Sequence, residues 1–504
     1  MELKLLAKEK KLINFDLFAC AFLLLFFVLV NKGIEIRALA VDDLGVWNRY
    51  SSSSPAAFIF NLDNNKIRPV LNVILYALFR VIGPRIWLAT YAVKILNFAI
   101  AVYLYFLTKK ITNNYYGLFA ACMFVVSRFA YYSISQVFGI MESLALVLSI
   151  IALYLLYLFV TRTEKGFKYF LAANIIITVA LFVHERFIAM FALSILAVLI
   201  RPDMRKNKKK ALVLAGIALL FLAANGLFRF LLFGGRAIDG TAGVAMQESF
   251  NIVQALKFFA EGIGFILGLN PGPQYLNGIS YTDVPKYVTA FVAVSALLIL
   301  FLIVRVIIAL VRKTLDNGGE VLRVSTLFAG YTALMLLSGC LTIRLEMRWI
   351  YAPFTVFMIW IAYLAYQLDF RMKKSYAAAV ILAVLLIGSG VNMYYRMYFG
   401  NLYYWPAQQY ANSLNQETFG VYKADIYKKN IYILENDEAG FVADEYYDDY
   451  FEVFTYGTGR TVKCTVVDAA FLEKRITKYS NFLVFMVDTD KRCYVNVTEM
   501  FRVE

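Results

Sequence analysis

The sequence predicts a polytopic α-helical membrane protein of about eleven transmembrane helices with a small α/β domain at its C-terminal end. Three observations carry this expectation. Of the 504 residues, 61% are hydrophobic and only 17% charged, and the mean hydropathy is +0.64; a soluble globular chain sits near half apolar and one quarter charged. The apolar residues come in blocks long enough to cross a bilayer. The Lys and Arg behind the net charge of +15 lie mostly in short loops between those blocks. There they read as topology signals and contacts to membrane lipid, and not as a nucleic-acid surface.

Taken in order, a Lys-rich start precedes a first span at 13–30. No small-residue cleavage site follows it, so it is expected to stay as a helix and not to be removed as a signal peptide. The stretch 69–80, closed by Gly83 and Pro84, is apolar but too short to span, and is predicted to lie on the outer surface as an amphipathic helix. Further spans follow at 87–107, 116–133, 140–160, 169–183, 187–200, 211–233, 287–311, 322–343, 349–368 and 376–394. The loops at 109–110, 162–168, 201–210, 312–313 and 371–374 are all basic, and all fall on one side under this alternation. The positive-inside rule makes that side, with the N-terminus, cytoplasmic, in a multi-pass protein of the plasma membrane. Beyond 396 the chain is polar, with alternating segments at 430–434, 461–467 and 482–487 that read as strands. Two domains result: a transmembrane domain at 1–395, with a first outer loop at 32–86, and a soluble extracytoplasmic α/β domain at 396–504. Cys464 and Cys493 fall in the latter, where they either pair or stay free.

The chemistry-bearing residues gather at the outer ends of the spans. Asp42 and Asp43 sit in the loop after the first span. A carboxylate there can take a proton from an attacking hydroxyl or amine, and a second can orient the acceptor; the plainer reading is a solvated or helix-capping acid. Glu142, at an outer turn, either supports that base or only suits a helix start. His184, the only histidine, stands beside Glu185 and Arg186 between two short helices, as a site or as mutual pairs. One histidine makes no His-rich zinc site, but with carboxylates it is able to hold a divalent ion.

This order of features resembles the GT-C superfamily of integral-membrane glycosyltransferases, which includes the protein O-mannosyltransferases and the lipid A aminoarabinose transferases. Such enzymes carry an acidic motif in the first outer loop, then surface helices, a second acid in the next outer loop, and often a soluble C-terminal domain. Here the matching features are Asp42 and Asp43, then Arg68, Pro69 and Asn72 with the surface helix up to Gly83, then Glu142. The 42–156 stretch carries most of the resemblance; 184–186 and 348–353 match by position only.

The resemblance implies a polyprenyl-phosphate sugar donor, inversion at the anomeric carbon, chemistry on the outer face and a glycan, lipid or protein acceptor. Its members differ in metal use, so a divalent metal ion stays open as a cofactor. Residue chemistry and the resemblance together make Asp42, Asp43 and Glu142 the catalytic candidates and Arg68, Lys94, His184, Glu185, Arg344 and Arg348 the substrate-binding ones. A guanidinium such as Arg348 can hold the departing phosphate; its alternative is an interfacial arginine paired with Glu346. Lys94, about two turns into its span with Asn97 on the same face, meets either that phosphate or an acid partner. The tyrosines at 131–132 and 403–404 read as an interfacial belt.

Two other classes remain. A transporter or flippase for lipid-linked glycans would place its charges near the bilayer midplane, on broken helices in paired halves. A lipid-diphosphate-dependent polymerase or ligase would carry several arginines in the loop at 234–285, which has only Arg236.

Overall fold

The computed structural model describes residues 2–62, 66–162, 164, 166–234, 250–435, 447–475 and 481–502. Arg236 and the rest of 235–249, the first part of its loop, lie outside the described residues. The chain begins with α1 (Glu2–Val30), then α2 (Asp42–Ser52), α3 (Pro55–Ile59) and α4 (Pro69–Ile82). The bundle continues with α5 (Trp87–Ile111), α6 (Asn114–Val126), α7 (Tyr131–Ser135), α8 (Ile140–Thr161), α9 (Gly166–Leu181), α10 (Met190–Ile200), α11 (Pro202–Lys206) and α12 (Lys208–Leu232). It closes with α13 (Ile252–Leu267), α14 (Gln274–Asn277), α15 (Lys286–Val311), α16 (Gly318–Gly339), α17 (Tyr351–Tyr366) and α18 (Tyr376–Arg396).

Among the described residues, seven helices are long and apolar enough to cross a membrane, or eight if the bent pair α6–α7 is one span. The remaining expected spans exist as shorter helices: the apolar part of α1, α9, and α10, whose 11 residues reach only about 16 Å. The run Met347–Arg371, which contains α17, is the most buried span of the bundle, with 83% of its apolar window buried; in α12 the figure is 17%, so that helix lies at the periphery. The expected surface helix is α4. Pro69 starts it, Gly83 at φ 55 ends it, and Leu71, Leu75, Phe79 and Ile82 form its buried stripe.

Two features depart from the sequence reading. The pair Asp42 and Asp43 does not lie in a loop but opens α2, where negative charge favours the helix N-terminus. The third span breaks at Ser127, with a bend of 54° between α6 and the segment Arg128–Ser135. Ser127 leaves helical geometry, and its hydroxyl accepts from the Phe129 N–H to start the next turn. The break is pinned by Arg128, which is fully buried. Its Nε donates to Asn270 Oδ1 (2.6 Å), its Nη1 to Asn392 Oδ1 (3.0 Å) and its Nη2 to the Phe265 and Leu269 carbonyls (2.8 and 2.9 Å). Arg396 ties the same point to α1 through the Ser127 carbonyl (3.1 Å) and Asn31 Oδ1 (2.5 Å).

After α18 the chain turns back over the bundle as α19 (Tyr404–Asn415) and then forms a four-stranded sheet: β1 (Asn430–Leu434), β2 (Lys463–Val467), β3 (Phe482–Asp488) and β4 (Cys493–Asn496). The order is β2-β1-β3-β4, parallel except for β4. The helix α20 (Tyr447–Thr455) lies between β1 and β2 in sequence, and α21 (Ala469–Arg475) between β2 and β3. The three expected strands are present, and β4 is an addition. Cys464 on β2 and Cys493 on β4 stand on opposite edges with two strands between them, about 14 Å apart at the usual strand spacing. Neither is disulfide-bonded, and that separation excludes a disulfide between them.

Candidate active site

Six stretches remote in sequence meet at one end of the bundle: the start of α2, residues 66–68, the run from α7 into α8, the turn at 184–186, the turn at 346–348, and the start of α19. The backbone strain falls at the first of these. Val41 holds φ 53 and ψ −119, a conformation that costs a β-branched residue about 1–3 kcal/mol, directly before Asp42.

The two aspartates have opposite surroundings. Asp43 is fully buried, and its two oxygens accept the backbone N–H groups of Val137 (2.9 Å) and Phe138 (2.7 Å). Gly139 permits that turn, because a Cβ there would fall 2.1 Å from the Tyr132 carbonyl oxygen. Burial pushes the Asp43 carboxyl up to about 7, against the opposing pull of the two N–H groups. Asp42 keeps 37% of its side chain exposed. The Tyr132 hydroxyl donates to its Oδ2 (2.7 Å), and Arg348 Nη1 lies 3.6 Å from the same oxygen.

Arg348 stacks over the Tyr132 ring at 4.6 Å and pairs with Glu346 (2.5 Å). Glu346 in turn holds Arg344 (2.7 Å). Tyr132, Glu346, Arg348, Tyr403 and Tyr404 line a narrow cleft whose free volume of about 20 Å³ has room for about one water. The tyrosines 132 and 404, expected in an interfacial belt, are instead buried walls of this cleft.

Behind it lies a chain of alternating charges. Glu142 is in the first turn of α8 and buried, not at an exposed turn. Arg186 Nη2 donates to its Oε2 (3.1 Å), and His184 Nε2 lies 3.4 Å from Oε1. His184 Nδ1 accepts the Arg186 backbone N–H (3.4 Å), which leaves the ring proton on Nε2, toward Glu142. Burial pushes His184 below its ordinary value and outweighs the pull of Glu142, so the ring is neutral. Arg68 grips Glu185 with two bonds, 2.6 and 2.9 Å. Burial raises the Glu185 carboxyl, but the Arg68 guanidinium outweighs it and holds the group well below the usual carboxylate range. Lys66 stands within electrostatic reach of Glu185, Arg348 and Asp42, and burial pushes it down. Arg186 Nε and Nη1 are buried with no hydrogen-bond partner among the described residues.

Of the nine residues singled out from sequence, Asp42, Asp43, Arg68, Glu142, His184, Glu185 and Arg348 therefore converge. Arg344 reaches the cluster only through Glu346. Lys94 is turned elsewhere and donates to the Asn31 carbonyl (3.3 Å). Sequence reasoning did not select Lys66, Tyr132, Arg186, Glu346 or Tyr403 as site residues; Arg186, adjacent to His184 and Glu185, and Glu346, named as a partner of Arg348, carried a signal. The residues do not fit a divalent ion. Glu142 and Glu185 flank His184, but each is occupied by a guanidinium, and among the described residues no group of three His, Cys, Asp or Glu side chains is placed to hold a metal.

Residues 67–227 match the model of the dolichyl-phosphate-mannose-protein mannosyltransferase family. The matched region holds Arg68, Glu142 and the 184–186 turn, and excludes Asp42 and Arg348. No curated protein matches the chain at a significant level. The matched region supplies half of the charged site and the bundle the membrane spans, and together they support a polytopic membrane glycosyltransferase of the GT-C type that uses a lipid-linked sugar donor.

Proposed function

We propose that the protein transfers a sugar, with inversion, from a polyprenyl-phosphate donor to a glycan, lipid or protein acceptor at the outer face of the plasma membrane, in the assembly of a surface glycan or glycoconjugate. Asp42 is the general base. The observation that carries this is the asymmetry of its carboxylate: Tyr132 and Arg348 both approach Oδ2, so Oδ1 is the oxygen left for an acceptor proton. The acceptor oxygen attacks the anomeric carbon as its proton passes to Asp42. The bond from that carbon to the phosphate oxygen breaks, and the phosphate leaves with the electron pair. Arg348, together with the open N–H groups of Arg186, stabilises the leaving oxyanion. Asp43 orients the 136–139 turn, while Glu142 and Glu185 hold His184, Arg186 and Arg68 in place. In this reading the N-terminus is cytoplasmic, the region 1–395 is catalytic, and 396–504 is extracytoplasmic.

The transporter reading draws on the broken third span and its buried Arg128, a pattern that transporters use for substrate. Arg128 is already bound to four oxygens, however, which leaves it little capacity for a ligand. The deciding experiment is mass spectrometry of surface glycans and of the lipid-linked sugar pool in a deletion strain complemented with wild type or Asp42→Asn. Loss of one sugar from a glycan, accumulation of its lipid donor, and restoration by wild type alone support transfer. A general base contributes about 10²–10⁴-fold, so Asp42→Asn should lower transfer by at least about 100-fold. Full restoration by Asp42→Asn removes the base and makes transport the leading account.

A further inference from the structure

The helix that carries Asp42 is held by aromatic rings from two remote elements, and one of them comes from the far end of the chain. On α2 the residues Asp43, Trp47 and Tyr50 follow one another at i, i+4 and i+7 and are all buried, while Asp42 stands off that stripe toward the cleft. From α4, Phe79 meets Trp47 edge-on at 5.2 Å and Tyr50 at 5.5 Å. Tyr456, immediately after α20, also meets Trp47 edge-on at 5.5 Å and Tyr50 at 5.8 Å. The Tyr456 hydroxyl also hydrogen-bonds to Tyr50, which bonds to Arg80 of α4.

Left to itself, α2 has little to fix its orientation. It has 11 residues, its N-cap position offers no side-chain hydrogen bond, and the preceding residue is strained. Short helices draw their stability from packing. A turn of one residue about its axis, 100°, would exchange the positions of Asp42 and Asp43.

We propose that Tyr456 is a positioning residue: it clamps the Trp47–Tyr50 stripe from the C-terminal region and thereby sets the direction of Asp42 relative to Arg348. This rests on the transferase reading for its catalytic consequence, but the clamp itself is independent of it. A misplacement of about 1 Å at a reacting group costs up to about 10²-fold in rate. The C-terminal region is then part of the catalytic machinery and does more than cover it.

The test uses the full chain in lipid nanodiscs, as wild type, Tyr456→Ala and Tyr456→Phe, with two readouts: amide hydrogen exchange over 42–52 and steady-state transfer. Tyr456→Ala should speed α2 exchange about tenfold and lower kcat about tenfold, with KM for the donor within about twofold and exchange in the spans unchanged. Tyr456→Phe keeps the ring and should retain both values. Unchanged α2 exchange in Tyr456→Ala overturns the clamp. Faster exchange with a wild-type kcat overturns its positioning role. A wild-type protein with no transfer at all overturns the transferase reading instead, and the exchange comparison still decides whether Tyr456 holds α2.

Discussion

Two regions of this bundle bury arginine, and they do so in opposite ways. At the break of the third span, Arg128 faces only neutral oxygens, two side-chain amides and two carbonyls, and its remaining surface is covered by the Phe129 and Tyr395 rings at 4.3 and 4.8 Å. Around Asp42 the guanidinium groups of Arg68, Arg186 and Arg348 face carboxylates, and Arg186 keeps two nitrogens without partners among the described residues. The first arrangement is closed: its hydrogen-bonding capacity is used, and its work is to hold backbone. The second has capacity to spare beside a cleft. Spare capacity, more than burial, separates a binding site from a structural pin, since an unpaired buried polar group has a cost that a ligand can remove.

The sharpest way to break this comparison is Arg128→Met. It would remove four bonds at once and orphan Asn270 Oδ1 and the Leu269 carbonyl, each costing about 1–3 kcal/mol when left unsatisfied, while Asn392 Oδ1 and the Phe265 carbonyl keep one backbone donor each. The expected result is failure to recover a monodisperse protein, or a fall in Tm of more than about 5 °C, since each kcal/mol is worth about 2–4 °C even in domains of moderate size. Thermal unfolding in detergent measures this, and a wild-type Tm would mean that Arg128 is not a pin. The matching change at the other region, Arg348→Met, should leave Tm close to wild type and lower kcat by about 10²–10³-fold, the range for a lost oxyanion donor. Transfer assayed with purified variants checks it. A large loss of Tm with parallel loss of activity would make Arg348 a second pin and collapse the distinction.

The sequence made the membrane class legible because hydropathy and the basic loops act over whole segments, and α4 and three of the strands were legible from local periodicity. What it hid depends on contacts between remote segments. Asp42 and Asp43 are adjacent and chemically identical, and only the N–H groups of Val137 and Phe138, nearly a hundred residues away, make one of them an anchor. Tyr132 and Tyr404 looked like belt residues because nothing local says that α19 folds back over the break. Arg344 and Arg348 lie one turn apart in the chain, yet only Arg348 is aimed at Asp42. Glu142 read as an exposed turn because its partners, His184 and Arg186, follow some forty residues later.

The aspartate pair gives a smaller but pH-resolved effect. The folded value of Asp43, about 7, lies above the ordinary carboxylate value of about 3.9, so the stability that its protonated form contributes is complete below about pH 4 and is lost as pH rises through 7. Asp43→Asn has no proton to lose. Relative to wild type its stability should therefore rise by about 2 kcal/mol between about pH 5 and pH 8, whatever constant cost follows from losing one acceptor oxygen. Unfolding of both proteins across that range measures the difference. A difference that stays flat, or falls with pH, would mean that Asp43 is ionised throughout and that its N–H partners outweigh burial.

The smallest effect belongs to Arg344, and it sets the edge of the site. Arg344 keeps 32% of its side chain exposed and, among the described residues, its guanidinium pairs with the carboxylate that it shares with Arg348. A half-exposed ion pair contributes about 0–1 kcal/mol, so Arg344→Gln should leave Tm unchanged and alter kcat/KM by no more than about fivefold. If the donor phosphate reaches Arg344 directly, the loss should instead approach that of Arg348→Met and appear mainly in KM for the donor, because a contact made equally to bound donor and transition state is read there. The ratio of the two losses thus measures how far the phosphate site extends along the 344–348 turn, and a KM effect above about tenfold would move Arg344 from the rim of the charged cluster into the donor site.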